Sequence, residues 1–175
     1  KHGVFLAELG RGDEVIDVQN IRNITFNNRG NVVTQEVDSY NDEEMTELLD
    51  VKRIWNEDYD IAGNVGKITV LRYGPLSQDA ETGFGYEFLG AKVIETKEVD
   101  LMGNAKLQTI KEYSDAARNE LLSTQELNNS YDSLGRLAHS QIKSYDPTGE
   151  LEGTQNIDYV SYDRMGNVIT QTIED

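Results

Sequence analysis

The sequence contains no cysteine. This absence excludes disulfide bonds, thiolate metal sites and cysteine nucleophiles, and it leaves the cellular compartment open. No apolar run is long enough to span a membrane. The longest apolar run near the start, Val4-Phe5-Leu6-Ala7, is too short for the core of a signal peptide. Because the chain begins at Lys1 rather than Met, we expect a processed or excised piece of a longer protein.

Positive charge is scarce in the sequence. Lys and Arg number 16 against 32 Asp and Glu, which gives a net charge of -16. A field of this sign repels nucleic-acid phosphates and anionic lipids, so we expect no nucleic-acid partner and no membrane insertion. Hydrophobic residues make up 37% of the chain, which predicts a thin core of the kind that stacked repeats tolerate.

Catalytic signatures are also missing. The patterns HExxH, GxSxG and the P-loop GxxxxGK do not occur in the sequence. His139 stands alone in a predicted strand, where a cross-strand or surface role is more common than catalysis. The sequence therefore predicts no enzyme and no required cofactor.

A short motif recurs along the chain. It consists of an aromatic residue or Val, then Asp or Asn, two free residues, Gly, a polar residue, and an aliphatic residue or Ala. The six copies are FNNRGNV from Phe26, YDIAGNV from Tyr59, VDLMGNA from Val99, YDSLGRL from Tyr131, YDPTGEL from Tyr145 and YDRMGNV from Tyr162. Such self-similarity predicts a repeat architecture.

The spacing of Asp and Gly predicts a three-residue hairpin loop. Asp or Asn caps a type I turn with its side chain, and Gly three residues later takes the left-handed conformation of a G1 bulge. The predicted structural turn residues are Asn27 and Gly30, Asp60 and Gly63, Asp100 and Gly103, Asp132 and Gly135, Asp146 and Gly149, and Asp163 and Gly166.

The same register predicts a cross-strand pair beside each turn. Tyr162 should face Val168, and equivalent pairs join Phe26 to Val32, Tyr59 to Val65, Tyr131 to Leu137, and Tyr145 to Leu151. We therefore expect Phe26, Tyr59, Tyr131, Tyr145, Tyr162 and Val168 to pack in a column along a β-sheet. The stretches 32–37, 68–73 and 168–173 are rich in β-branched residues and are predicted strands.

Two weaker copies allow two interpretations. YNDEEMTELL from Tyr40 and YSDAARNELL from Tyr113 place Met45 and Arg118 where Gly is expected. As hairpins, they bring Tyr40 to the face of Leu48 and Tyr113 to that of Leu121. As helices, residues 42–55 and 114–127 would begin at an Asp N-cap. Repeat equivalence favours the hairpins.

These motifs resemble the YD repeats of the RHS family over roughly residues 22–175. The resemblance implies consecutive antiparallel β-hairpins in a curved or spiral sheet, with structural repeats and little helix. Bacterial members of that family enclose a C-terminal toxin or lie on the cell surface, and animal relatives act in adhesion. Toxin-bearing members end their shell with paired DPxxG-type motifs, whereas Asp146-Pro147-Thr148-Gly149 is the one DP motif here and belongs to a repeat turn.

The predicted organisation is an N-terminal strand region over 1–21 and YD-like hairpin repeats over 22–175, with a loop insertion at 74–90. The apolar segment Val4–Ala7 is an ordinary first strand or a strand that adds to the edge of a neighbouring subunit. Open sheet edges need a partner, so we expect the chain to assemble with itself or with flanking repeats of a longer parent.

We therefore expect a mainly β, non-enzymatic structural module of a secreted or cell-surface protein. It would build a shell, a wall or a self-assembling extracellular filament. Two alternatives stay open: a fragment of an RHS-type toxin-encapsulating shell, and a surface adhesin that binds glycan or protein through residues 74–90. The tripeptide Arg11-Gly12-Asp13 is a weaker adhesion motif. Glu57, Asp58 and Asp60 are candidate calcium ligands, because calcium prefers clustered carboxylates.

Overall fold

The computed structural model describes residues 3–9, 15–75 and 86–175, with side chains described from Val18 onward. These residues form eleven strands and no helix. The strands are β1, Gly3–Leu9; β2, Val15–Phe26; β3, Val32–Tyr40; β4, Leu48–Glu57; β5, Lys67–Pro75; β6, Tyr86–Val99; β7, Ala105–Tyr113; β8, Leu121–Tyr131; β9, Leu137–Tyr145; β10, Leu151–Tyr162; and β11, Val168–Glu174. Within the described residues, no helix is long and apolar enough to cross a membrane.

The strands pair in chain order from β1 to β11. The pairings with a described register are antiparallel, so each strand folds back on the one before it. The predicted strands at 32–37, 68–73 and 168–173 lie within β3, β5 and β11. The mainly β fold of consecutive hairpins is confirmed, whereas a curved or spiral form of the sheet stays a prediction.

The two ambiguous segments are hairpins and not helices. Residues 41–47 form the turn before β4, and residues 114–120 form the turn before β8. Tyr40 lies opposite Leu48, and Tyr113 lies opposite Leu121, as the hairpin interpretation predicts. The β-pairing available on both sides of β4 and β8 overrides the helical propensity of these sequences.

The structure changes two expected boundaries. The expected limit after residue 21 falls inside β2, because that strand continues its pairing with β3 through Phe26. Both ends of the expected loop at 74–90 are strand, since Gly74–Pro75 end β5 and Tyr86–Gly90 begin β6. The apolar segment Val4–Ala7 lies in β1, which pairs with β2, and addition of β1 to a neighbouring subunit stays a prediction.

The chain divides into two compact units. Unit 1 comprises residues 1–57, 68–92 and 114–118, and unit 2 comprises 58–67, 93–113 and 119–175. Among the described residues, the buried hydrophobic side chains of unit 1 are Val18, Val37, Val51 and Ala91, and that of unit 2 is Val93. No side chain described is fully buried, so the core is as thin as the composition predicts.

Candidate functional site

The six motif copies form closely similar short turns, at 27–31, 60–64, 100–104, 132–136, 146–150 and 163–167. In each turn the first residue donates its backbone N–H to the carbonyl oxygen of the fifth, over 2.8–3.0 Å. The glycine at the fourth position donates to the carbonyl of the first and has a φ between 76° and 93°. Only glycine reaches these angles without steric cost, which explains the fixed Gly position.

The aspartate side chain organises each turn from within. In the 163–167 turn, one carboxylate oxygen of Asp163 accepts the backbone N–H groups of Met165 and Asn167 at 2.8 Å. The other oxygen accepts the Asn167 side-chain amide at 2.9 Å. Asp100 and Asp60 bind Asn104 and Asn64 in the same way. In the Gly-Asn pair of the motif, Gly therefore provides the left-handed conformation of the turn, and Asn provides its side-chain hydrogen bond.

Two short turns replace this asparagine. Arg136 donates through Nε to Asp132 at 2.7 Å, and its guanidinium lies 4.7 Å from the centre of the Tyr162 ring. In the 146–150 turn, the Thr148 hydroxyl contacts both carboxylate oxygens of Asp146. The YDxxGRL form of the motif thus keeps the turn and adds a cation–π contact to Tyr162, the motif tyrosine of the turn at 163–167.

The two longer turns use left-handed residues other than glycine. Met45 has a φ of 56° and Arg118 a φ of 62°, at the position where the short turns carry Gly. Asp42 still caps its turn, since its carboxylate accepts the backbone N–H groups of Thr46 and Glu47. The Arg118 guanidinium reaches the Thr69 hydroxyl at 3.3 Å, which gives this side chain a partner outside its turn.

Short turns of unit 2 touch one another. A Cβ atom placed on Gly103 would lie 2.9 Å from the side-chain oxygen of Asn64, and one on Gly135 would lie 3.1 Å from the methyl of Met102. Each of these glycines therefore also leaves room for the preceding turn. The apolar residues at the turn tips face outward and are largely exposed: Ile61, Leu101, Met102, Leu134 and Met165.

Two motif tyrosines join their own short turn to an earlier one through their hydroxyl groups. The Tyr131 hydroxyl donates to the Ala105 carbonyl at 2.8 Å, and the Tyr162 hydroxyl donates to the Leu137 carbonyl. Ala105 and Leu137 are each the first strand residue after a turn. The Tyr145 hydroxyl instead donates to Glu126 at 3.0 Å. The sequence predicted the tyrosines but not these hydrogen bonds, because they depend on the neighbouring hairpin.

The predicted aromatic–aliphatic pairs are present at four short turns. Phe26 lies opposite Val32, Tyr131 opposite Leu137, Tyr145 opposite Leu151, and Tyr162 opposite Val168. They do not form a buried column, since Phe26, Leu151 and Val168 are between 43% and 56% exposed. A single sheet leaves these positions open to solvent, so the tyrosine hydroxyl contacts are more specific than the apolar ones.

The turn at 60–64 differs from the others by one inserted residue. Asn56 and Asn129 are equivalent residues, since each donates its side-chain amide to a carbonyl 24 residues earlier. Asn129 lies two residues before the motif tyrosine Tyr131, whereas Asn56 lies three residues before Tyr59. The chain accommodates the extra residue at Asp58, whose backbone is left-handed with a φ of 56°. A Cβ atom on Gly66 would lie 2.6 Å from the Asp58 carbonyl oxygen, so this approach requires glycine. Gly66 was not predicted from the sequence, because the inserted residue that it accommodates is visible only when the hairpins are aligned.

The turn carboxylates have lowered pKa values. Hydrogen bonds from the Asn side chains lower the pKa of Asp60, Asp100 and Asp163, with help from backbone N–H groups. The Thr46 and Thr148 side chains do the same for Asp42 and Asp146, and the Arg136 backbone and guanidinium for Asp132. A lowered pKa means that the turns favour ionised aspartate.

The calcium hypothesis at Glu57, Asp58 and Asp60 finds no support. Within the described residues, no group of three or more His, Cys, Asp or Glu side chains is arranged to hold a metal. The Asp60 carboxylate is instead occupied by Asn64. A depression of about 190 Å³ lies beside it, lined by Asp58, Asp60, Lys97 and Glu98 among others. We assign it no ligand.

A polar cluster in unit 1 was not predicted. Arg22 binds both Glu36 and Asp38, and Arg72 binds the buried Asp50 at 2.7 Å. Burial raises the pKa of Asp38, although Arg22 opposes the effect. Among the described residues, one Asp50 oxygen and the Ser39 hydroxyl have no hydrogen-bond partner. Each Arg and the acid that it binds are 14 or more positions apart in sequence, so only the strand register brings them together.

Ser140 and Lys143 have the SxxK spacing of a serine nucleophile and its lysine base. Residues three apart share a face on a helix but lie on opposite faces of a strand. Both residues belong to β9, and the Ser140 hydroxyl donates to Asn129 at 2.7 Å. The strand geometry therefore separates the pair.

The remaining candidate residues have simpler outcomes. His139 lies opposite Asp158, and their side chains are 2.8 Å apart, which is the cross-strand role that the sequence favoured. The adhesin hypothesis concerns residues 74–90, of which 76–85 lie outside the described residues, as do Arg11, Gly12 and Asp13.

Comparison with known proteins does not place the chain in a family. No family model matches the sequence, and no curated protein is significantly similar to it.

Proposed function

We propose that this chain is a non-enzymatic structural β-repeat module of a secreted or cell-surface protein. The observation that carries the proposal is the internal use of the repeated motif. The Asp163 carboxylate, which a catalytic or metal site would need free, is bound by the backbone and side chain of its own turn. The motif residues therefore serve the fold, and repetition of the motif extends it.

The links between turns support the same function. Tyr131 and Tyr162 each bond to the start of an earlier strand, 26 and 25 residues before them. Stabilisation through neighbouring repeats suits an extended wall, shell or filament, because each added repeat supplies its own contacts. The thin core is consistent with such an architecture.

A segment of an RHS-type toxin-encapsulating shell is the second candidate. The hairpins and the Asp-capped turns favour it as well, since the YD repeats to which the motifs are similar form such hairpins. The two candidates share the structural module and differ in what the parent protein encloses. A toxin domain downstream in the parent would favour the shell.

The surface role is tested on intact cells of the source organism. An antibody raised against the folded chain should label unbroken cells or bind protein in the medium. Protease added outside the cells should remove the label, while a cytosolic marker stays intact as the control. Labelling that requires lysis of the cells would contradict the proposed location.

A further inference from the structure

Strand β11 is the last strand of the described sheet. All seven of its residues are exposed, and it pairs with β10 on one side. On the other side no strand pairs with it among the described residues. Natural edge strands usually carry Lys, Pro or inward-pointing charges that discourage pairing. Residues Val168 to Ile173 contain none of these, although Ile169 and Ile173 are 66% and 48% exposed.

The sequence of this edge is complementary to itself. Residues 169–173 read ITQTI, which is the same in both directions. If two copies of β11 pair antiparallel about Gln171, Ile169 meets Ile173 of the second copy and Thr170 meets Thr172. Gln171 meets its own equivalent on the two-fold axis. β-branched pairs and Thr–Thr pairs are among the stabilising cross-strand combinations.

Charge also favours this register. The chain carries a net charge of -16, so most surfaces of two copies repel each other. The ITQTI segment is neutral. The flanking acids Glu174 and Asp175 would lie opposite Val168 and Asn167 of the second copy, so no like charges face each other across the pairing. A shift by two residues in either direction removes both Ile–Ile pairs and leaves one Thr–Thr pair in place of two.

The symmetric centre, Gln171, is the first residue of the regular part of this edge. The pairing of β11 with β10 skips Ile169, where the register shifts between Val168 and Thr170. Such a bulge bends one end of the strand. A second register shift, which skips Val160 of β10, lies between Thr170 and Gln171, so the regular pairing begins at Gln171 opposite Tyr159 and continues to Glu174 opposite Asn156.

We propose that two copies of this chain form a two-fold symmetric dimer by antiparallel pairing of β11 with β11, centred on Gln171. An isologous contact of this kind closes after two subunits and does not continue into a fibre. The inference rests on the proposed structural function, in which the sheet extends by backbone pairing. It names a second copy of the chain as the partner of this edge.

Cysteine cross-linking tests the register directly, because the full chain has no native cysteine. The antiparallel pairing brings residue 170 next to residue 172 of the second copy, within the Cα separation that a disulfide tolerates. Under mild oxidation, a mixture of the Thr170→Cys and Thr172→Cys proteins should form mainly heterodisulfides. Gln171→Cys alone should form homodisulfides. Isotope labelling of one protein distinguishes the products by mass.

Random collision and parallel stacking give different products. Random collision gives the statistical mixture, which the same proteins in denaturant provide as a reference. Parallel in-register stacking, the arrangement of many β-fibrils, gives Thr170→Cys homodisulfides above that reference. Either result would overturn the proposed pairing.

Charge exchange at the axis provides an independent test by sedimentation velocity. Gln171→Lys and Gln171→Glu each place like charges opposite each other, so each protein alone should dimerise at least roughly tenfold more weakly. An equimolar mixture should recover the dimer. Gln125→Lys is the matched control, since Gln125 is exposed on β8, which pairs on both sides. This variant should dimerise like the wild type.

The outcomes separate this inference from the proposed function. Wild-type protein that stays monomeric at all concentrations would overturn the dimer and leave the surface-labelling result unaffected. Open filaments that disappear when residues 1–9 are deleted would also overturn it, because they would show head-to-tail addition through β1. Labelling only after lysis would contradict the surface role without affecting the dimer.

Discussion

At the scale of single residues, the left-handed glycines carry the most specific constraint. Gly166 has a φ of 89° and open space around it, so Gly166→Ala tests backbone strain alone. We expect a loss of about 1 kcal/mol in the free energy of unfolding. Gly103→Ala should cost more, because its new methyl also meets Asn64 at 2.9 Å. Urea unfolding measures both variants.

Gly153→Ala is the matched control for these glycines. Gly153 is exposed in β10, has an ordinary strand conformation, and has open space around its Cα. Alanine there should leave stability unchanged or raise it slightly, since it restricts the unfolded chain. Equal losses at Gly153 and Gly166 would show that the turn conformation does not determine the effect.

Met45 offers the opposite substitution. It occupies the glycine position of its turn with a φ of 56°, which is strained for an unbranched side chain. We expect Met45→Gly to raise the midpoint of thermal unfolding, with a gain of about 0.5–1 kcal/mol. Arg118→Gly relieves the same strain but loses the contact with Thr69, so its gain should be smaller. A destabilised Met45→Gly protein would contradict this account.

At the scale of strands and turns, the tyrosine hydroxyls link one hairpin to the next. Tyr131→Phe keeps the ring and removes the hydrogen bond to Ala105. We expect a loss of about 1 kcal/mol in urea unfolding, because the Ala105 carbonyl then loses a donor. Tyr159→Phe is the control, since its hydroxyl has no hydrogen bond in the part of the chain that the structure describes. Similar losses of stability in both variants would show that the hydrogen bond from Tyr131 to Ala105 does not stabilise the protein.

The turns could be predicted from the sequence because their constraints are local. Asp163, Gly166 and Asn167 interact within five residues, so their spacing alone specifies the bonds between them. The contact of Gly66 with Asp58 escaped prediction because it follows from an insertion that is visible only after the hairpins are aligned. The tyrosine links escaped because hydroxyl partners 25 or 26 residues away depend on the stacking of neighbouring hairpins.

At the scale of the whole molecule, composition predicted a thin core and an acidic surface but not where opposite charges meet. Arg22, Arg53 and Arg72 bind acids on neighbouring strands of unit 1. These pairs follow from register over long sequence separations, which no short motif specifies. The candidate site shows the same limit: the turn residues were predictable, whereas the contacts between turns required the assembled sheet.

The acidic turns should make the stability of the molecule depend on pH. Each of the six turn aspartates with a lowered pKa takes up a proton more readily when unfolded. Their stabilisation is therefore present above the ordinary aspartate pKa of about 3.9 and is lost as the pH falls through the lower folded values. Asp38 has a raised pKa and acts in the opposite direction, but it is one group against six. We expect the free energy of unfolding to fall steeply in this acidic range.

Asn27 is the one short-turn capping residue without a carboxylate, so exchanging Asn and Asp tests whether the turns cause the acid sensitivity. Its neutral amide oxygen accepts the N–H groups of Arg29 and Asn31, which are the bonds that Asp163 makes as a carboxylate. Asp163→Asn should therefore destabilise the protein at neutral pH, and the difference from wild type should close as Asp163 becomes protonated in acid. Asn27→Asp should show the reverse, with a gain at neutral pH that disappears in acid. Urea unfolding from neutral to acidic pH measures the difference in stability between each variant and the wild type. A difference that stays constant with pH would show that the turn carboxylates do not cause the acid sensitivity.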